Sequence, residues 1–141
     1  MAESLLRTLF PPESRSFAGK RWVNIALRSL HLVGTAGAGA GMLFGVSPAQ
    51  WQAYLWLTVI TGVLMVALQL WSNGVWLLQL RGLAIGVKLL LLVAALRWPQ
   101  SGPAMLIAVV LLSGVISHAP GDIRYHSPWH GRRLESLGGR G

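Results

Sequence analysis

Between Glu13 and Asp122 the chain contains no Asp and no Glu, and across that interval four apolar runs follow one another with three or four residues between them. They cover about 22–46, 51–71, 75–97 and 102–118, joined by Ser47-Pro48-Ala49-Gln50, Ser72-Asn73-Gly74 and Trp98-Pro99-Gln100-Ser101. Each run is near the ~20 residues that a helix needs to cross ~30 Å of hydrocarbon. Backbone groups in lipid must be satisfied within each segment, so the runs are expected as helices. Short connections make sequential helices antiparallel. The expected fold is all-α: an integral membrane four-helix bundle over 22–118, a tail over 1–21 and a basic tail over 119–141. Only 11% of the residues are charged, against ~25% in a soluble domain. A soluble bundle would also show polar outer faces, which these runs lack.

Lys and Arg set the expected orientation. Arg7, Arg15, Lys20, Arg21, Arg28, Arg81, Arg124, Arg132, Arg133 and Arg140 fall on one side, and Arg97 alone on the other. The positive-inside rule puts both termini in the cytoplasm, in a multi-pass protein of the cytoplasmic (inner) membrane. Trp22, Trp71, Trp76 and Trp129 fall near the inner interface, and Trp51 and Trp98 near the outer one. The formal charge of +8 does not point to nucleic acid, because the basic residues flank apolar spans instead of lining a soluble face. About twenty polar residues precede the first span, unlike a cleaved signal peptide. A short surface helix is expected from Ser4 to Phe10.

Gly37, Gly41 and Gly45 are four apart on the first run, a doubled small-xxx-small ridge that lets another backbone approach closely. Gly82 and Gly86 make a shorter ridge on the third. Such ridges serve packing within one bundle, contact with a second copy, or room for a flat cofactor.

Lys88 lies within the third run, where a charge costs at least ~2.5 kcal/mol on insertion scales and so marks a candidate functional position. The four acids, Glu3, Glu13, Asp122 and Glu135, all lie in the tails. The ammonium must snorkel, lose its proton, lean on neutral oxygens or meet an anion from outside the chain. Arg81 lies seven residues earlier on the same face, ~10 Å shallower, and can also act as an interfacial anchor. His31 and His118 are expected at similar depth near the inner interface, with Gln69 and Gln79. Paired imidazoles across a helical bundle are a usual way to hold haem b, and nearby cations would then meet its propionates. A quinone carbonyl or a lipid phosphate would meet them too. His118 can equally cap a helix that Pro120-Gly121 ends, and His31 can hydrogen-bond a neighbouring helix.

The tail from His118 to His130 carries Asp122, His126 and His130, all metal-ligand types, but Pro128 argues against a regular helix that would align the two histidines. It reads as an interfacial segment, anchored by Tyr125 and Trp129 and held near anionic lipid by Arg124, Arg132 and Arg133. The absence of cysteine excludes thiolate sites and disulfides. No paired carboxylate or nucleophile–base–acid set lies within reach of a span. Met1, Met42, Met65 and Met105 form no relay for copper.

Three stretches carry a family resemblance. Arg28 to Gly34 (RSLHLVG) resembles the opening helix of the copper-resistance D family and is similar to that of membrane-type bacterial protoporphyrinogen oxidases. Thr61 to Met65 (TGVLM) resembles their second helix, and Gly82 to Leu92 (GLAIGVKLLLL) their Val-Lys-Leu-Leu helix. The resemblance covers about half the chain. It implies His31 and Lys88 as paired functional positions, with haem b or copper as ligand. The chain departs from the oxidases in lacking their further histidines, and from the copper family in having fewer helices.

Three functions are then expected in order. The first is a membrane protein holding a redox cofactor, haem b foremost, with His31 and His118 as ligands and Lys88 and Arg81 against its negative charge. It would serve electron transfer or a larger respiratory or photosynthetic complex. The second is a cofactor-free accessory subunit packed on other membrane subunits or on a second copy. The third is copper or small-solute transport.

Overall fold

The computed structural model describes residues 8–135 and is dominated by helices. The chain divides into two compact units, residues 16–69 and residues 8–15 with 70–135.

The first unit is a helical hairpin. Helix α1 spans Lys20–Leu43 and follows Gly19, whose φ of 87° lies in the left-handed region. Its other end closes on a Schellman motif. The Phe44 N–H donates to Ala40 O at 3.0 Å, the Val46 N–H to Gly41 O at 3.0 Å, and Gly45 between them sits at φ 63°. Gly45 therefore lies past the helix end, and the ridge expected through Gly37, Gly41 and Gly45 stops at Gly41. Only a residue without Cβ takes this conformation cheaply. Helix α2, Pro48–Ser72, starts with proline at its first position, where the missing N–H costs nothing.

The second unit begins with residues 8–15, which lie along 70–74. The Arg15 N–H donates to Ser72 O and Ser72 Oγ to Arg15 O, both at 2.9 Å. Asn73 then caps a 3-10 turn, Gly74–Leu78, by accepting the Val75 N–H at 3.0 Å. Gln79 is extended (φ −101°, ψ 160°), and α3 runs from Leu80 to Arg97. The expected single helix from Val75 to Arg97 is thus broken. Asn73 favours a cap over continuation, and the break turns Val75 and Trp76 inward, leaving them 2% and 4% exposed. Gly82 is the other side of that bend, since a Cβ there would lie 2.3 Å from the Trp76 carbonyl oxygen.

A 3-10 turn at Pro99–Ser101 leads into α4, Gly102–His118, which packs against α3. Ala119-Pro120 ends α4. The tail then folds: a one-turn helix, α5 (Gly121–Arg124), precedes strands β1 (His126–Ser127) and β2 (Arg132–Arg133), paired antiparallel with His126 opposite Arg133. The Leu134 N–H returns to Tyr125 O at 3.0 Å, and its side chain is 2% exposed. The expected helix at 4–10 lies mostly outside the described residues; Thr8 and Leu9 are helical. Two helical segments, Pro48–Ser72 and Pro99–His118, are long and apolar enough to cross a membrane.

Candidate functional site

Three clusters hold the polar and glycine residues singled out above. The first is the α1–α2 seam. Cβ atoms built at Gly34, Gly37 and Gly41 would fall 2.5 Å from Thr58 Oγ1, 2.3 Å from Tyr54 Cγ and 2.2 Å from Trp51 Cδ1. Steps of three and four along α1 thus meet steps of four and three back along α2, as antiparallel helices in close contact require. The glycine face is filled from within the chain.

His31 lies one turn before Gly34 on the same face. Its Nδ1 is 3.0 Å from Thr58 O and 3.1 Å from Thr61 Oγ1, and its ring lies against Gly62, where a Cβ would meet Cε1 at 3.3 Å. A carbonyl can only accept, so Nδ1 carries the proton and donates to Thr58 O. The hydroxyls of Thr58 and Thr61 donate back to Tyr54 O and Leu57 O at 3.0 and 2.6 Å, as buried hydroxyls in apolar helices do. An imidazole whose Nδ1–H is fixed by a carbonyl has the tautomer and rigidity of a metal ligand. An apolar groove of about 540 Å³ also borders α1, lined by Val33, Ala36, Ala40, Phe44 and Trp51 among others. Gly37, Gly41 and Tyr54 of the seam line it as well, but His31 does not. In this unit the residues fit an imidazole ligand by tautomer, but α2 fills the glycine contacts beside His31 and His31 does not line the groove, so no space for a macrocycle lies against its ring.

The second cluster centres on Lys88. Arg81, Ala84, Lys88, Leu91 and Ala95 form one stripe of α3 by helical spacing, and Ala84 and Ala95 are 6% and 2% exposed. Lys88 is half-buried on that stripe and makes no hydrogen bond or ion pair among the described residues. Gly86 is on the open side, with nothing within 4 Å of a Cβ built there, so it does not extend the Gly82 contact.

The third cluster joins the start of α3 to the folded tail. Buried Gln79 donates from Nε2 to Leu134 O and accepts from Arg81 Nε. Three guanidiniums surround the Tyr125 ring, with Arg81, Arg124 and Arg133 at 4.9, 4.9 and 5.3 Å from its centroid. Arg133 is paired with Asp122 at 2.9 Å and with Glu135. The hydrogen bonds to Glu135 and then Asp122 raise its pKa above an already high ordinary value. Any contribution it makes is complete below the unfolded pKa and is lost only above the folded one, beyond the accessible pH range. His126 and His130 sit in the hairpin, where Ser127 Oγ meets His130 Nδ1 at 2.9 Å. His118 is exposed in the last turn of α4. No group of three metal-ligand side chains occurs among the described residues.

His31 with Gly37 and Gly41 belongs to one unit, and Lys88, Arg81, Gly82 and His118 to the other. Gln79, Tyr125, Thr58 and Gly62 were not singled out as site residues in sequence. The i, i+3 threonine pair at 58 and 61 was a readable signal for a hydroxyl-lined face. Gln79 and Tyr125 meet only through the fold-back of the tail, which no local pattern announces. Comparison with family models, with curated proteins and with solved structures returns no match.

Proposed function

We propose that the chain is a multi-pass membrane protein of the cytoplasmic membrane, with four spans and both termini inside, acting as an accessory subunit that docks on a larger membrane protein through Lys88. Membrane residence is supported by where the apolar surface lies. In the two longest apolar segments, Pro48–Ser72 and Pro99–His118, only 6% and 11% of the most apolar window is buried. A helix from a soluble core would bury that surface. The excess of basic residues on one side supports the orientation.

The observation that carries the subunit reading is Lys88 without a partner among the described residues. Its stripe faces packing rather than water, and no span carries an acid. A second copy of the chain would bring no acid either, so self-association leaves the charge unmatched. A different protein with a membrane-embedded Asp or Glu would offset the cost of holding the cation there. The tagged chain, purified in mild detergent from native membranes, is expected to co-elute with one partner at constant ratio. Lys88→Met is expected to lose that partner and Lys88→Arg to keep it in part. A chain that elutes alone, or a partner retained equally by Lys88→Met, overturns the reading.

A second reading rests on His31. Its Nδ1–H bond to Thr58 O suits an axial ligand, and the resemblance of RSLHLVG to haem- and copper-linked families points the same way. On this reading the chain binds a redox cofactor, haem b or copper, for electron transfer, and α2 shifts to open the His31 face. Purified protein without a Soret band and without copper would remove it.

A further inference from the structure

We infer that Gln79, Arg81, Arg124 and Tyr125 form a binding site for the phosphate of an anionic phospholipid headgroup, at the membrane face where α3 begins. Four guanidiniums (Arg81, Arg124, Arg132, Arg133) gather at the folded tail against two carboxylates, Asp122 and Glu135. Both carboxylates are spent on Arg133, the most exposed of the three that ring Tyr125. Among the described residues, Arg81 and Arg124 have only neutral acceptors. Arg81 Nε donates to Gln79 Oε1. Arg124 donates to Tyr125 Oη at 3.0 Å and to Ser117 O at 3.4 Å, and its Nε is buried with no partner. Two guanidiniums stacked on one phenol repel each other, and the ring's π-face offsets only part of that. An oxyanion between them would take the remaining N–H groups in the paired geometry that guanidinium offers phosphate.

The cleft beside Arg81 holds about 310 Å³ and is lined by Gln79, Arg81, Tyr125, Arg133 and Glu135, while Arg124 reaches this cluster through the Tyr125 ring. That volume is room for a headgroup phosphate. The Glu135 carboxylate in its lining is well exposed and paired with Arg133, which offsets its repulsion of an entering anion. The choice of a lipid over a soluble phosphate comes from what surrounds the site. Leu77, Ile123 and Trp129, within a few residues of it in sequence, are 45%, 52% and 64% exposed. An aromatic and aliphatic rim beside arginines is the composition of a surface resting at headgroup depth. The inference is independent of Lys88 and His31.

The test is native mass spectrometry of the full chain in mild detergent, titrated with phosphatidylglycerol, phosphatidylcholine or inorganic phosphate. Phosphatidylglycerol is expected to bind with one-to-one stoichiometry and in preference to phosphatidylcholine. Arg81→Gln/Arg124→Gln is expected to weaken it roughly tenfold or more, while Arg21→Gln/Arg28→Gln, a matched loss of charge on α1, leaves it unchanged. Equal loss in both double variants reduces the effect to general charge and overturns the site. Protection from heat by inorganic phosphate to the same extent as by lipid overturns the lipid assignment. Should the Arg81/Arg124 variant fail to fold, equal binding of the two lipids by the unaltered chain overturns the proposal without it.

Discussion

Gly34→Ala is the sharpest probe of the α1–α2 seam, because the contact it creates is with backbone. A Cβ at Gly34 would lie 2.7 Å from Thr58 N and 2.9 Å from Tyr54 O, besides 2.5 Å from Thr58 Oγ1. Ordinary contact begins at 3.4 Å, so α2 must retreat by about 0.7 Å from the Thr58 N contact to restore it. The shorter distances at Gly37 and Gly41 are to the rings of Tyr54 and Trp51. Tyr54 is 43% exposed and can swing aside, while Trp51 gives up its Nε1–H bond to Val46 O when it moves. The expected order of damage is therefore Gly34, then Gly41, then Gly37, although Gly34 has the longest of the three shortest distances. Overpacking costs ~1–3 kcal/mol, and separation weakens the His31–Thr58 bond, worth ~0.5–1.5 kcal/mol. The better helix propensity of alanine returns up to ~1 kcal/mol. A net loss of ~1–3 kcal/mol follows, read as the unfolding midpoint in mixed micelles by far-ultraviolet circular dichroism. Gly86→Ala, which meets open space, is the control and is expected to be neutral or stabilising. If Gly34→Ala is as stable as Gly86→Ala, the helices do not touch there and the reasoning fails.

Gln79→Ala removes the side chain that ties the tail to the start of α3, leaving Leu134 O without its donor. Limited trypsin digestion is expected to cut after Arg132 and Arg133 several-fold faster than in the unaltered chain, and an unchanged rate refutes the docking. Gly45→Ala places a Cβ at φ 63° and is expected to cost ~1–2 kcal/mol by the same unfolding assay, although nothing touches the position. Its cost should persist in a Gly34→Ala background, because one effect is conformational and the other is contact. Asp122→Asn with Glu135→Gln is expected to leave the unfolding midpoint unmoved, since these ion pairs with Arg133 are well exposed.

Much of the helical architecture was legible because long apolar runs with short punctuated connections constrain a chain heavily. The apolar runs, their proline and glycine punctuation and their lengths mapped closely to α1, α2 and α4. The third run was misread at its start. Val75 to Leu78 is as apolar as the helix that follows, and only Asn73, a residue that caps turns, hinted at a separate element. Gly45 shows the opposite limit. Four-residue spacing after Gly41 also suits a Schellman glycine, and spacing alone does not tell a ridge from a stop. The site was legible in part. His31 was readable as a residue that meets a neighbouring helix. Tyr125 as the hub of three arginines was not readable, because the ring is brought to Arg81 by a tail of four-residue helix and two-residue strands too short to leave a periodic signature.

The absence of native cysteine makes single-cysteine labelling a clean measure of where Lys88 sits. With a membrane-impermeant maleimide on intact cells, Gln100→Cys is expected to react. Ser14→Cys and Gly131→Cys are expected to react only after permeabilisation, and Lys88→Cys under neither condition until the membrane is dissolved. Ready labelling of position 88 in intact or permeabilised cells, or recovery of the chain in the soluble fraction, would contradict a lysine held inside a bilayer.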